Sequence, residues 1–360
     1  MTVAAPAGTE GWIRHVLTVH WGARWGAGAL APLTVGGAEP LTHTAGLWHV
    51  TGPEADHVLK VQLTAEAVRA ERFAPLKERV LTHCRRQGVP VLPVVPTADG
   101  SPGARHDGVV CELSPRSDGT VSTGSRAHAA AIVRTGLDLR QTLDGLPPGT
   151  ADELATIHLP RLVEEEDWSA ALDDAERRLL PKAVAGHDRW HRAAAAVLHE
   201  LAAAAPLLRR DPVGGASGSA ARPAVVHGDL HLQHFLLAPQ APARVVAVLD
   251  FDNLHVQDRL LDLAWLADTA VHACGDDLAG ARRVVADFAA AGRRRGLLGP
   301  GDTERLMPLL LAHSLPVIVD IAKDILDRGI LAAQWLDYFA LLSPARRRTV
   351  HRLLTCADGR

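Results

Sequence analysis

The chain has 360 residues, 47% of them hydrophobic and 22% charged, with 38 basic and 41 acidic residues and a formal net charge of −3. That length suffices for two lobes with separate cores, and the near-neutral balance offers no electrostatic case for a nucleic-acid or membrane-surface partner. The four cysteines, Cys84, Cys111, Cys274 and Cys356, stand far apart with no CxxC pair, which argues against a disulfide framework or a zinc knuckle and points to a reducing, cytoplasmic compartment.

The opening MTVAAPAGTEGW has neither the basic nor the apolar region of a secretion leader, so none is expected. The most apolar late stretch, Leu306 to Val319, holds two prolines and a histidine and is too short to span a bilayer. Of the 38 basic residues only four are lysines (Lys60, Lys77, Lys182 and Lys323), and Asn253 is the single asparagine. A lysine that persists inside a strand of so arginine-rich a chain invites a functional question.

Residues 10–25 place Trp12, Val16 and His20 on one face of an amphipathic helix. Strand-like runs follow at Pro32 to Val35, Leu47 to Thr51 and His57 to Gln62, the last two joined by the turn-forming GPEAD. A helix is expected from Thr64 to Gln87, with Pro75 as a possible break and Gly88 as its stop. Strands are expected again at Val89 to Val95 and Val109 to Leu113. Residues 126–144, 150–181 and 187–208 have helical spacing, and the Gly/Ser/Ala/Pro stretch from Asp211 to Pro223 reads as a flexible loop. Two short apolar strands, His234 to Leu237 and Arg244 to Leu249, precede a chain that reads as helical from Asp258 to its end. The pattern is α+β and bilobal, with a β-rich lobe over residues 1–115 and a helical lobe over 116–360.

The chemistry concentrates in VVHGDLHLQHFLL, residues 225–237, and in the acidic turn LDFDN that closes the hairpin. Two carboxylate positions brought together by one hairpin suit a site that handles a hydroxyl proton and a divalent cation. These residues resemble the catalytic segment of the aminoglycoside phosphotransferase family, small-molecule kinases related to protein kinases. His227, Gly228 and Asp229 match its His-Gly-Asp loop, and Asp250-Phe251-Asp252 matches its metal-binding turn. Asp258 and Asp262-Leu263-Ala264 match its Asp-x-x-x-Asp-Leu-Ala tail. The resemblance covers roughly residues 30 to 270 and implies a protein-kinase-like bilobal fold that uses ATP and Mg²⁺.

Carried over by residue, the resemblance makes Asp229 the catalytic base and Asp250 a metal ligand, with His227 and Asp262 bracing the loop. The family's second metal ligand, an asparagine, falls at position 234, which here is His234. Either Asp252 or His234 then completes the metal site. Lys60, in HVLKVQ, takes the place of the phosphate-contacting lysine, held by Glu78 or, as runner-up, Glu71. Glu112 and Leu113 lie in the strand whose backbone would bind adenine. The phosphate-covering loop would lie at Gly36 and Gly37, where no GxGxxG stands.

On the acceptor side, Glu164 to Asp167 reads either as a lure for a cationic acceptor or as a solvated helix start. Asp320, Asp324 and Asp327 share a helical face that either closes an acceptor pocket or meets solvent. Trp335 and Tyr338 would stack on a sugar or fill a core. The expected activity is phosphate transfer to a hydroxyl of an aminoglycoside or other antibiotic, an aminosugar or sugar, or a metabolic alcohol such as an amino alcohol. Two alternatives stand beside it. One is a peptide Ser/Thr kinase of natural-product tailoring, which would need a peptide substrate and a companion protein. The other is a nucleotide-binding pseudokinase scaffold.

Overall fold

The computed structural model describes residues 9–34, 45–62, 70–157, 165–210 and 223–357. It divides the chain into two compact units, one built from residues 1–121, 145–159 and 233–254 and the other from 122–144, 160–232 and 255–360. The expected glycine loop at Gly36 and Gly37 and the expected loop over 211–222 lie outside the described residues.

The first unit begins with α1 (Glu10–Trp21), whose first turn is capped by the Thr9 side chain accepting from the Trp12 amide. Gly22, at φ 99°, ends it in a conformation that glycine adopts without steric cost, so the single helix expected over 10–25 becomes α1 and a short α2 (Ala23–Gly26). Five strands follow: β1 (Leu30–Pro32), β2 (Ala45–Thr51), β3 (Asp56–Gln62), β4 (Ala104–His106) and β5 (Val109–Pro115). They form one antiparallel sheet in the order β1-β2-β3-β5-β4.

Period-two alternation decides what each face of that sheet does. Leu59 and Val61 of β3, with Cys111 and Leu113 of β5, point to the core, where Ile13, Val16 and Leu17 of α1 cover them. Each such aliphatic side chain, once buried, contributes about 1.5–3 kcal/mol. Val58, Lys60 and Gln62 therefore face the other way.

The helix α3 (Ala70–Arg86) contains Pro75 without stopping at it. The strand expected over Val89 to Val95 is not one: within it only Val91 makes a bridge, to Val248, and the Val95 amide donates to the Leu113 carbonyl at 2.7 Å. Pro90 and Pro93 have no amide hydrogen to give a ladder, which the apolar spelling of the segment conceals. The helix α5 (Thr150–Ile157) and the hairpin of β7 (Phe235–Leu237) and β8 (Val245–Val248) complete the unit.

The second unit is largely helical. It holds α4 (Arg126–Asp144), α6 (Glu165–Asp174), which continues through a π-helical turn (Ala175–Leu179) into α7 (Leu180–Ala185), and α8 (Arg189–Arg210). Later come α9 (Leu260–His272), α10 (Leu278–Arg294), α11 (Asp302–Lys323), α12 (Gln334–Leu341) and α13 (Pro344–Ala357). A two-stranded ladder, β6 (Pro223–Val226) with β9 (His255–Asp258), was not expected in full, because β9 is too short and polar to show a pattern. Every residue from Leu260 to Val271 of α9 is buried, so it is the central helix of this unit. Among the described residues no helix is long and apolar enough to cross a membrane.

Candidate active site

In the first unit, the side chains of β3 that turn away from α1 line a cavity of about 420 Å³. Leu47, Val58, Leu92 and Val248 give it apolar walls, and Lys60, Lys77, Glu112, Asp250 and Asp252 give it one charged cluster. Lys60 Nζ lies 2.8 Å from Asp250 Oδ1 and 2.7 Å from Asp252 Oδ2. Lys77 Nζ lies 2.6 Å from Asp252 Oδ1 and 2.5 Å from Glu112 Oε2. Gln62 Nε2 donates to Asp252 Oδ2 at 2.5 Å. Two cations thus stand among three carboxyl groups, with Asp252 shared between them.

Local backbone geometry explains how two carboxylates two residues apart reach one ammonium. Asp250 sits in the left-handed region, at φ 61° and ψ 66°, and the chain then makes a single 3₁₀ turn over Phe251–Asn253. Aspartate tolerates that region better than most residues. The turn brings Oδ1 of Asp250 and Oδ2 of Asp252 onto the same Lys60 nitrogen.

Electrostatics follow from this arrangement. Burial by itself would lower Lys60, but Asp250 and then Asp252 outweigh it and hold the ammonium well above its ordinary value. Lys77 is raised in the same way against burial, by Asp252 and then Glu112. Burial would raise Asp250, yet Lys60 brings it down to about 2. Asp252, between two ammonium groups, is lowered further against the same burial. Glu112 moves the other way, pushed up by burial that Lys77 only partly offsets.

The expected partner of Lys60 is corrected by this geometry. Glu78 does not pair with it. Its Oε1 accepts from Arg85 Nη2 at 2.6 Å and from Thr82 Oγ1 at 3.0 Å. Adjacent helical residues point about 100° apart, so α3, in turning Lys77 to the cavity, turns Glu78 aside. The side chain of Glu71 lies outside the described residues. Leu113 is also corrected: it is fully buried in the sheet core and its carbonyl already accepts from Val95. Glu112 reaches the cavity through its side chain. His234 lies at the edge of the cluster, its Nε2 3.7 Å from Asp250 Oδ2.

The donor set fits a hard divalent cation. Asp250 and Asp252 offer carboxylate oxygens that already converge on one positive charge, and such oxygens are what Mg²⁺ prefers. His234, a nitrogen donor, is the poorer third ligand.

The His-Gly-Asp loop belongs to the second unit, and there one face of α9 holds it. Asp262 accepts from the amides of His227 and Gly228 at 3.1 and 3.0 Å, and is paired at 2.7 Å with Arg140, both side chains being fully buried. Trp265 Nε1 donates to the Gly228 carbonyl at 3.1 Å, and Thr269 Oγ1 to the Leu230 carbonyl at 2.8 Å. Positions 262, 265 and 269 fall on one helical stripe. Gly228 itself has φ 80°, a turn that a side chain would strain. Asp229 donates its amide to His227 Nδ1 at 3.3 Å, and its Oδ2 lies 3.8 Å from His231 Nε2.

The acceptor-side candidates are occupied otherwise. Asp320 and Asp324 pair with Arg328, and Asp327 with Arg178 and Lys182. Trp335 is buried and packs at 5.9 Å on Tyr338. Glu164 and the side chains of Glu165, Glu166 and Asp167 lie outside the described residues.

Lys77 and Gln62 carry no motif. The signal that points to Lys77 is compositional: two of the four lysines line the same cavity, and Lys182 and Lys323 pair with Asp327 and Asp174.

The spectinomycin phosphotransferase APH(9)-Ia, solved with ADP and spectinomycin, is similar in fold, with a TM-score of 0.62 at 9% identity over 97% of this chain and 98% of that one. A microcompartment-associated aminopropanol kinase gives 0.62 at 17% identity, covering 98% and 99%. The aminoglycoside phosphotransferase APH(3'')-Id from Streptomyces rimosus gives 0.50 at 21% identity, covering 86% and 97%. No curated protein matches the chain in sequence. The model of the phosphotransferase enzyme family matches residues 44–309, and with its kinase-like α+β fold this chain belongs to that family.

Proposed function

We propose that the protein is an ATP- and Mg²⁺-dependent kinase of the cytoplasm that transfers the γ-phosphate to a hydroxyl of a small molecule. Candidate acceptors are an aminoglycoside or other antibiotic, an aminosugar or a metabolic amino alcohol. The observation that carries the reading is Lys60, on a central strand, shared between Asp250 and Asp252 in the wall of a cavity. That pairing supplies both a cation for phosphate oxygens and carboxylates for a metal. That none of the four cysteines is in a disulfide supports a reducing compartment.

In this mechanism Lys60 would contact the α- and β-phosphates, and Asp250 with Asp252 would hold the metal. Mg²⁺, when bound, supplies neutralisation of charge on the phosphate oxygens. Adenine would lie against the apolar walls of the cavity. Asp229 would accept the acceptor's hydroxyl proton. Its loop is fixed through Asp262, so the carboxylate need not be ordered at the moment of reaction.

The test is a screen for acceptor-dependent ATP consumption across hydroxylated antibiotics, aminosugars and amino alcohols, with Ser/Thr peptides as a parallel arm. Turnover with a small molecule that gains phosphate mass supports the reading. Phosphate mass gained only by peptides replaces it with the peptide kinase. Metal-independent stabilisation by ATP with no turnover in any arm replaces it with a scaffold.

A further inference from the structure

Two ammonium groups reach into the cavity, and the second comes from α3. Lys77 and Leu81 stand four apart on that helix and both line the cavity. This face of α3 therefore brings a cation to the place expected to hold a carboxylate. Lysine is seldom deeply buried unless it is paired, and Lys77 is only 6% exposed. Its Nζ is held by Asp252 Oδ1 on one side and Glu112 Oε2 on the other, 5.8 Å from the centre of the Phe73 ring. Glu112 stands opposite Lys60 in the register of β3 with β5, and Asp252 touches both ammonium groups. A single carboxylate thus bridges the two cations.

Those contacts fill the oxygens that a metal would use. Asp252 Oδ1 accepts from Lys77, Asp252 Oδ2 from Lys60 and Gln62, and Asp250 Oδ1 from Lys60. Asp250 Oδ2 is the fourth oxygen, 3.7 Å from His234 Nε2. A Mg²⁺ ion sits about 2.0–2.1 Å from its ligand oxygens. On an oxygen that also holds an ammonium, the two like charges would stand less than about 5 Å apart. Ion and ammonium therefore compete for the carboxylate unless a third, negative group draws the ammonium away.

We propose that, within the kinase reading on which this rests, Lys77 is a second phosphate-binding cation, kept on Asp252 until the nucleotide arrives. A nucleotide phosphate takes the Lys77 ammonium, Asp252 is released to the metal, and Glu112 keeps the lysine at the cavity wall. The metal then enters with the nucleotide or after it. Before that, Lys60 and Lys77 hold the carboxylates in the metal's stead, and the cavity is not left with buried, unpaired anions.

The experiment compares the full chain with its Lys77→Met variant by calorimetry. Three probes are used separately: ADP in chelator, adenosine in chelator, and Mn²⁺ without nucleotide. Lys77→Met should weaken metal-free ADP at least about tenfold, the loss of one charge-assisted hydrogen bond, and leave adenosine, which has no phosphate, within about twofold. The same substitution should tighten Mn²⁺ at least about tenfold, because Asp252 then has one cation fewer to shed. A purely bracing role for Lys77 would weaken all three probes together. Equal losses for ADP and adenosine, or an Mn²⁺ affinity that does not rise, overturns the proposal. Should Lys77→Met fail to fold, adding Glu112→Gln removes the carboxylate left unpaired, and the same three measurements decide. A parent chain that binds neither ADP nor adenosine overturns the kinase reading itself. A parent that binds both, with ADP unchanged in the variant, overturns only the role given to Lys77.

Discussion

The loop of the second unit and the charged cluster of the first are both polar and both carry motif residues, yet they are held in opposite ways. The His227–Asp229 backbone is gripped from behind by Asp262, Trp265 and Thr269, on one face of a helix that is itself buried. The cavity cluster is instead neutralised by its own long side chains, Lys60 and Lys77, which share Asp252 between them. A ligand bearing phosphates and a metal would replace those pairings with new ones, cation to phosphate and carboxylate to metal. The comparison teaches that rigidity lies in the loop, where the proposed proton transfer would need placement, and adaptability in the cluster, where the proposed ligand would exchange partners.

The comparison breaks most visibly at the loop. Asp229→Asn should lower phosphate transfer by about 10²–10⁴-fold while the melting-temperature gain from ATP persists. Retained transfer would refute the assignment of the base. Asp262→Ala should act on folding instead. It strips a fully buried Arg140 of its main partner and two loop amides of their acceptor. Removing one member of a buried pair costs about 3–5 kcal/mol, read as a lowered urea midpoint. A loss below about 1 kcal/mol would mean that water or Asp144, which also pairs with Arg140 at 2.9 Å, takes over.

The same contrast explains what the sequence disclosed. The loop was legible because its residues are contiguous and, with the Asp-x-x-x-Asp-Leu-Ala tail, match a family motif, so the resemblance assigned His227, Asp229 and Asp262 together. Most of the sheet was legible because HVLKVQ and its neighbours alternate. The partner of Lys60 was not, because a pairing across a cavity has no period: residue 60 meets residues 250 and 252, and nothing in the spelling of α3 says whether 77 or 78 turns inward. Prolines misled in the other direction, giving the 89–95 segment a strand's composition without a strand's donors.

Lys77→Met sharpens the cluster side at an intermediate size. It should raise the KM for ATP about tenfold and cost roughly 1–3 kcal/mol, since Asp252 keeps Lys60 and Gln62 whereas Glu112 loses its cation. Glu112 is already raised by burial, so it would take up a proton in the variant and limit the damage. Adding Glu112→Gln should therefore cost little more, and strictly additive losses in the double-mutant cycle would sever the two residues. The pH dependence has a definite sign. Asp250, lowered to about 2, and Asp252, lower still, contribute stability that is present above the ordinary carboxylate value of about 4 and is lost as pH falls toward 2. Acid unfolding followed by circular dichroism should begin at higher pH in Lys77→Met, because Asp252 has one cation fewer.

The smallest expected effect belongs to the carboxylates of α11 and of the π-helical turn that follows it, Asp324–Arg328. Asp327 is half-exposed and is shared by Arg178 and Lys182, each at 2.7 Å, and Arg328 spans Asp320 and Asp324. Ion pairs of this kind contribute little, because water screens them and two long side chains lose freedom in forming them. Asp327→Asn should leave the urea midpoint unmoved and change kcat/KM by less than about twofold, with the pairs read as surface neutralisation. A loss greater than about tenfold confined to cationic acceptors would show the opposite. Asp327 would then exchange Lys182 for the substrate's ammonium, and this second unit would share the cavity's habit of holding a site closed with its own cations until the ligand arrives.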